Sequence, residues 1–184
     1  TGLGLTDSKK ALVEAEGDFD KALEALRKKG LTKAEKKGDR ETREGLIESY
    51  VHSNRIGVIV EVNCETDFVA RLPEFKEFAH QIAMQIAAMN PKFPTLEDVP
   101  ADVVEAKKAE LLASDSLKGK PADMAEKIVE GQIKKHFAEQ VLAEQAYILD
   151  DSMTVGEFIK EEIARRGENI RVSQFKRIEL GVTE

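Results

Sequence analysis

From Ile56 to Val62 every second residue is apolar and β-branched, so Ile56, Val58, Val60 and Val62 share one face at period two. That alternation predicts a strand over 55–63. A second run over 46–52, with Ser53-Asn54 between the two, predicts a β-hairpin. The period then changes. Phe75, Phe78, Ala79, Ile82, Ala83, Ile86 and Met89 recur at helical spacing, and Asn90-Pro91 stops the helix they define. Its alanines permit close packing against a neighbouring layer.

Toward the start, 7–30 reads as two short helices. Thr6 or Asp7 caps the first, which passes through Lys10, Leu12 and Ala15 and stops at Gly17. Asp18 caps the second, whose stripe is Phe19, Ala22, Leu23 and Leu26 and whose end is set at Gly30. Two such helices cannot enclose a core alone. Either a helix ahead of Thr1 completes them, or they dock on the rest of the chain. Beyond the irregular, Pro-punctuated segment 93–100, helices are expected at about 101–113, 121–143 and 154–166. Pro121 sits in a first turn, Thr154 acts as a cap and Gly167 as a stop. The run 170–180 alternates again, with Phe175 shifting its register, and closes the hairpin into a three-stranded antiparallel sheet. The fold class is therefore α+β. Its expected organisation is an N-terminal helical module at 1–31, a basic linker at 32–45 and an α+β core at 46–184.

Composition narrows the function classes. The chain has 184 residues, 41% of them apolar but only 5% aromatic and none Trp, so the core is aliphatic. A net charge of −7 disfavours generic nucleic-acid binding. Against that trend, the segment 27–43 carries eight basic side chains and three acidic ones, leaving −12 on the remainder. A solvated linker or short polar helix explains it, and contact with phosphates or an acidic patch is the sharper alternative. No aromatics are interleaved for base stacking. No run of 18 apolar residues suggests a membrane span, and no secretory signal is visible. The single Cys64 excludes an internal disulfide framework and fits a reducing compartment.

Catalytic chemistry finds little support. Gly2 and Gly4 begin a dinucleotide-type spacing, but Asp7 stands where its third glycine belongs. His52, His80 and His136 lack metal-ligand spacing, and no sequence feature places a histidine beside Cys64. An enzyme is not expected, nor is a cofactor or a bound metal.

The most informative run is Glu61-Val62-Asn63-Cys64-Glu65-Thr66-Asp67-Phe68-Val69-Ala70-Arg71, where a strand ends in a polar Thr-Asp followed at once by an aromatic. It resembles the hallmark of the translation elongation factor Ts family. The segment from Thr1 to Leu12, with Glu14-Ala15 and Gly17-Asp18, is similar to that family's N-terminal module. Residues 125–131 and Gly167-Glu168-Asn169-Ile170 are similar to its later segments.

The resemblance implies a short form with one core subdomain and a ubiquitin-associated-like helical module whose first helix lies ahead of Thr1. It implies a guanine nucleotide exchange factor that binds elongation factor Tu, displaces its Mg²⁺ and promotes GDP release. It assigns that action to Thr66, Asp67, Phe68 and Val69, with secondary contacts at Leu3, Leu5, Thr6, Ala70 and Arg71. It further implies a homodimer in a bacterial cytoplasm, an organellar matrix or a stroma, with no membrane and no direct nucleic-acid contact. A ribosome- or RNA-associated module using 27–43 is the alternative.

Overall fold

The computed structural model describes residues 4–113 and 122–182. Leu3 and the expected first-turn Pro121 lie outside the described residues. The architecture is a mixed one, a three-stranded antiparallel sheet covered on one face by helices.

Strand β1 (Glu44–His52) and strand β2 (Ile56–Cys64) form the expected hairpin, in register from Glu44↔Cys64 to His52↔Ile56. Ser53 and Asn54 have φ of 49° and 55°, and Arg55 N–H donates to the His52 carbonyl at 2.9 Å. Positive φ at both central residues makes a type I′ turn, whose twist suits a two-residue hairpin. Strand β5 (Ile170–Glu179) pairs on the other side of β2, giving the order β1-β2-β5. Its register shifts opposite Glu61 and Val62, where Gln174 and Val172 are the partners and Ser173 is the extra residue. This bulge keeps Ile170 and Val172 inward and turns Phe175 to the same face, leaving Ile178 in solvent. At Gly45 a Cβ would lie 2.2 Å from the Val62 carbonyl oxygen, so only glycine fits this point of the β1–β2 contact.

The inner face of β2 (Val58, Val60, Val62) is buried against α4 (Pro73–Met89). Phe75, Phe78, Ala79, Ile82, Ala83 and Ile86 form the buried stripe, while Met89 reaches solvent at the end. Asn90 ends the helix in the left-handed region at φ 48°. Helix α7 (Val155–Arg166) closes the core from the far side. Thr154 caps it and Gly167 terminates it at φ 78°, both as expected, and Glu157 completes a reciprocal capping box with Thr154.

Several expectations change. Helix α1 (Leu5–Glu14) is capped by Gly4, because Leu5 is already helical; Thr6 and Asp7 lie in its first turn. Helix α2 (Phe19–Glu35) starts at Asp18, whose side chain accepts from Lys21 N–H, but it does not stop at Gly30. It continues to Glu35 because α2 packs along α7, where Arg27 pairs with Glu161 at 2.8 Å and Lys160 with Glu35 at 2.9 Å. The helix therefore runs across the seam expected between a module ending at 31 and a linker beginning at 32. The pair docks on the rest of the chain through α2, and among the described residues α1 and α2 share a small cluster of Ala11, Ala22, Leu26 and Ala15.

After α5 (Ala101–Leu112), helix α6 (Ala122–Phe137) ends six residues earlier than its expected limit. The chain turns there to bury Val141 and Leu142, with Val141 bridging Phe93. A short hairpin of β3 (Ala146–Tyr147) and β4 (Asp150–Thr154) follows, which the sequence pattern did not indicate.

Phe78 is 2% exposed and meets Phe75 and Phe158 at ring-centroid distances of 6.1 and 5.3 Å. Phe78→Ala removes the ring that joins α4 to α7 and is expected to cost about 3–5 kcal/mol in urea denaturation. A loss under about 1 kcal/mol would show that this junction is not packed.

Candidate functional site

β2 ends at Cys64, and two residues later the chain begins a single helical turn, α3 (Asp67–Ala70). Thr66 is its cap, in extended backbone, and the Thr66 hydroxyl accepts from Val69 N–H at 3.4 Å. Cys64 Sγ lies under the turn and donates to the Thr66 carbonyl at 3.2 Å. Burial, with the Glu168 carboxylate adding to it, pushes the thiol up to about 11. Cys64 is therefore a protonated filler of the turn, not a nucleophile.

The turn divides its residues by side. Val69 is 9% exposed and belongs to the main core, where it anchors α3. Phe68, one position earlier, is 80% exposed and stands in solvent. Asp67 pairs with Arg71 at 2.9 Å on the open surface, and Thr66 and Ala70 are half-buried. The structure thus gathers Thr66, Asp67, Phe68, Val69, Ala70 and Arg71 on one turn, with the ring displayed and the valine turned inward. Leu5 and Thr6 sit apart at the start of α1, where Leu5 is 89% exposed.

The sequence reading did not pick out what holds this turn. Glu168, just after α7, accepts from the Thr66 hydroxyl at 2.6 Å and from the N–H groups of Thr66 and Glu65 at 3.0 and 3.2 Å. Sequence separation hides this contact. The available signal was that Gly167-Glu168-Asn169-Ile170 is similar to a later segment of the family and follows a helix stop, but no role was read from it.

A single turn anchored by one buried valine and showing one bare ring can present that ring to another surface; it has no groups arranged for covalent chemistry. Among the described residues no group of three His, Cys, Asp or Glu side chains could hold a metal ion. No described helix is long and apolar enough to cross a membrane.

Comparison with known proteins bears on this geometry. The model of the family described as elongation factor TS matches residues 28–182, which includes the whole turn. The chain belongs to the elongation factor Ts family. Elongation factor Ts of Fervidobacterium nodosum is 54% identical over 98% of this chain and 92% of its own length. That of Thermotoga maritima is 56% identical over 98% and 90%. The chloroplastic elongation factor Ts of Rhodomonas salina is 52% identical over 98% and 84%. Membership of the elongation factor Ts family places the chain in translation elongation, and its relatives span bacteria and a chloroplast.

Within this family member six basic side chains of the segment have partners in the chain, some of them in pairs on the open surface. Arg27 pairs with Glu161, Lys28 with Glu24, Lys29 with Asp7, Arg40 with Glu65 and Arg43 with Glu41. Lys37 donates to the Gly167 carbonyl.

A thiol held protonated in the core should ignore a disulfide reagent in mildly alkaline buffer until the protein unfolds. Because the folded thiol lies above its ordinary value of 9.0, its contribution to stability is complete below that value. It is lost as pH rises toward about 11, since the unfolded thiol releases its proton first. Rapid labelling of Cys64 under native conditions would contradict this placement.

Proposed function

We propose that this chain is an exchange factor that binds elongation factor Tu carrying GDP, loosens its Mg²⁺ and promotes nucleotide release. The exposed ring of Phe68 on an anchored turn, within the family's hallmark run, carries this reading. Phe68 enters between two helices of Tu near its switch region. Mg²⁺ demands near-ideal octahedral geometry, so a small shift of the supporting helix weakens it. Asp67 bonds the displaced backbone or a polar side chain. Releasing Asp67 from Arg71 costs little, because an exposed ion pair is worth roughly 0–1 kcal/mol. Thr66 sets the angle of the turn, and Val69 contributes through its backbone and by anchoring the ring. Leu3, Leu5 and Thr6 provide a second contact, with Ala70 and Arg71 at the edge of the first. No bond is made or broken on this chain, so it acts without active-site chemistry and needs no cofactor.

The second partner we propose is another copy of the chain. An antiparallel sheet with one wet face normally alternates apolar inside and polar outside. Here the outer face shows Ile47, Val51, Ile59 and Ile178, all well exposed on three adjacent strands. A self-complementary pairing of that face would cover all four. Arg27, paired with Glu161, and Lys37, bonded to the Gly167 carbonyl, tie the 27–43 segment to α7, which supports a structural role for it, and no direct nucleic-acid partner is proposed.

Stopped-flow release of a fluorescent GDP from elongation factor Tu tests the first part. The chain should accelerate release, and Phe68→Ala should remove most of the acceleration, about one to two decades given the roughly 1.5–3 kcal/mol gained on burying one such ring. Asp67→Ala should weaken it in part. An unchanged rate with Phe68→Ala overturns the reading. Light scattering tests the second part: the parent chain should have twice the monomer mass at micromolar concentration, and Ile59→Glu should have the monomer mass.

A further inference from the structure

Gly167 takes the left-handed turn after α7 and throws Glu168 back over the end of β2. The separation in sequence is 102 residues between Glu168 and Thr66. Both carboxylate oxygens are used there. Oε1 accepts from the Thr66 hydroxyl at 2.6 Å, and Oε2 accepts from Thr66 N–H at 3.0 Å and Glu65 N–H at 3.2 Å. The next residue continues the tie. Asn169 N–H donates to Glu65 Oε1 at 2.6 Å, and its side-chain amide donates to the carbonyls of Gly38 and Arg40 at 3.1 and 2.8 Å. Arg40 itself reaches Glu65 at 3.5 Å. Asn169 is 6% exposed, so its own bonds are partly shielded from water, while the Arg40–Glu65 contact lies at the surface.

The Thr66 hydroxyl has one hydrogen and two lone pairs. Its hydrogen is committed to Glu168, so its lone pairs are left to face Val69 N–H, which is the cap of α3. Charge-assisted bonds of this kind are roughly twice as strong as neutral ones. A four-residue helix cannot fix its own direction, because nucleation costs more than one turn returns.

We propose that Glu168 is a positioning residue for nucleotide exchange, holding the Thr66 turn so that Phe68 leaves the protein in one direction. The inference rests on the exchange reading of Phe68. On this proposal Glu168 acts through Thr66, to which it is bonded, and not by contact with nucleotide or Tu. Glu168→Gln is nearly isosteric yet cannot satisfy the turn. With its oxygen toward the hydroxyl, its NH₂ faces two N–H donors; flipped, it leaves the hydroxyl hydrogen without an acceptor.

The experiment uses the full chain with Glu168→Gln, Phe68→Ala and the double variant. It measures the maximal rate of GDP release from Tu, the half-saturating concentration of the chain, and hydrogen exchange at the Thr66 and Val69 amides. Glu168→Gln should lower the maximal rate about tenfold, the effect of losing a charged hydrogen bond. It should also speed exchange at both amides. The double variant should release GDP within about twofold of Phe68→Ala alone, since both changes act through one ring. A purely stabilising carboxylate would instead give additive losses, and that result overturns the proposal, as does a parental rate with Glu168→Gln. A parental rate with Phe68→Ala overturns the exchange reading and this proposal with it, while the two amides still report whether Glu168 holds the turn. Should Glu168→Gln fail to fold, Glu168→Asp carries the test. Its shorter carboxylate cannot reach the Thr66 hydroxyl and both N–H groups at once, so it should lower the maximal rate and speed exchange at both amides; a parental rate overturns the proposal.

Discussion

One helical turn makes too few hydrogen bonds to offset the entropy of ordering its backbone. α3 is such a turn, and it carries a phenyl ring into water with nothing of its own to hold it there. Its order is imposed from outside, by Val69 in the core beneath it and by the Glu168 carboxylate across its first residue. Everything that locates Glu168 therefore locates the ring. The capping box of Thr154 starts α7, Ile163 and Val155 seat it in the core, and Gly167 ends it where Glu168 can turn back. The bulge opposite Glu61 and Val62 then lets β5 leave this turn with Ile170 and Val172 still facing inward.

Energy sets a limit on what the ring does. Burial of one Phe gives roughly 1.5–3 kcal/mol, or about one to two decades in an equilibrium. A deeper weakening of nucleotide binding requires further contacts that keep the ring in place, and on the proposed mechanism these come from the start of α1. Coupling is reciprocal: a factor by which this chain weakens nucleotide is the factor by which nucleotide weakens this chain.

The parts legible in the sequence are those where one local signal agrees with the packing. The alternation through Val58, Val60 and Val62, the stripe on α4, and the Thr154 cap and Gly167 stop all reappear because the buried face repeats at the period of its own element. Gly30 misled because an isolated glycine costs a helix only about 1 kcal/mol. Ion pairs and packing between α2 and α7 offset that cost, and they depend on residues 125 or more positions away. The end of α6 was missed for the same reason, since Val141 meets Phe93 from a distant segment. At the site, the run 64–71 was legible as a motif, but its sidedness was not. Adjacent apolar residues Phe68 and Val69 look alike in a sequence, and only the angle of the turn sends one outward and the other inward. Glu168 stood within a family-like segment, but its role was not legible because a charged residue after a helix stop reads as surface.

The supports of the two proposed contacts differ in stiffness, and the difference has a consequence. The α2 end of the helical pair is fixed by Ala34, buried in the main core, and by Arg27–Glu161 and Lys160–Glu35, pairs that remain partly in water. α1, which carries Leu5, is joined to α2 by the small cluster of Ala11, Ala22, Leu26 and Ala15 and by the partly exposed Lys29–Asp7 pair, worth roughly 0–1 kcal/mol, so α1 shifts at lower cost. The Thr66 turn is tied by three bonds to one carboxylate over a core with Phe75, Ile82 and Val62 fully buried, and it shifts only at large cost. A soft contact can engage first over a range of orientations, after which the second contact is effectively intramolecular. A stiff one transmits force rather than absorbing it. A ring on a yielding turn would fold back against its own surface when pressed; on this turn, under the proposed mechanism, the partner's helices move instead.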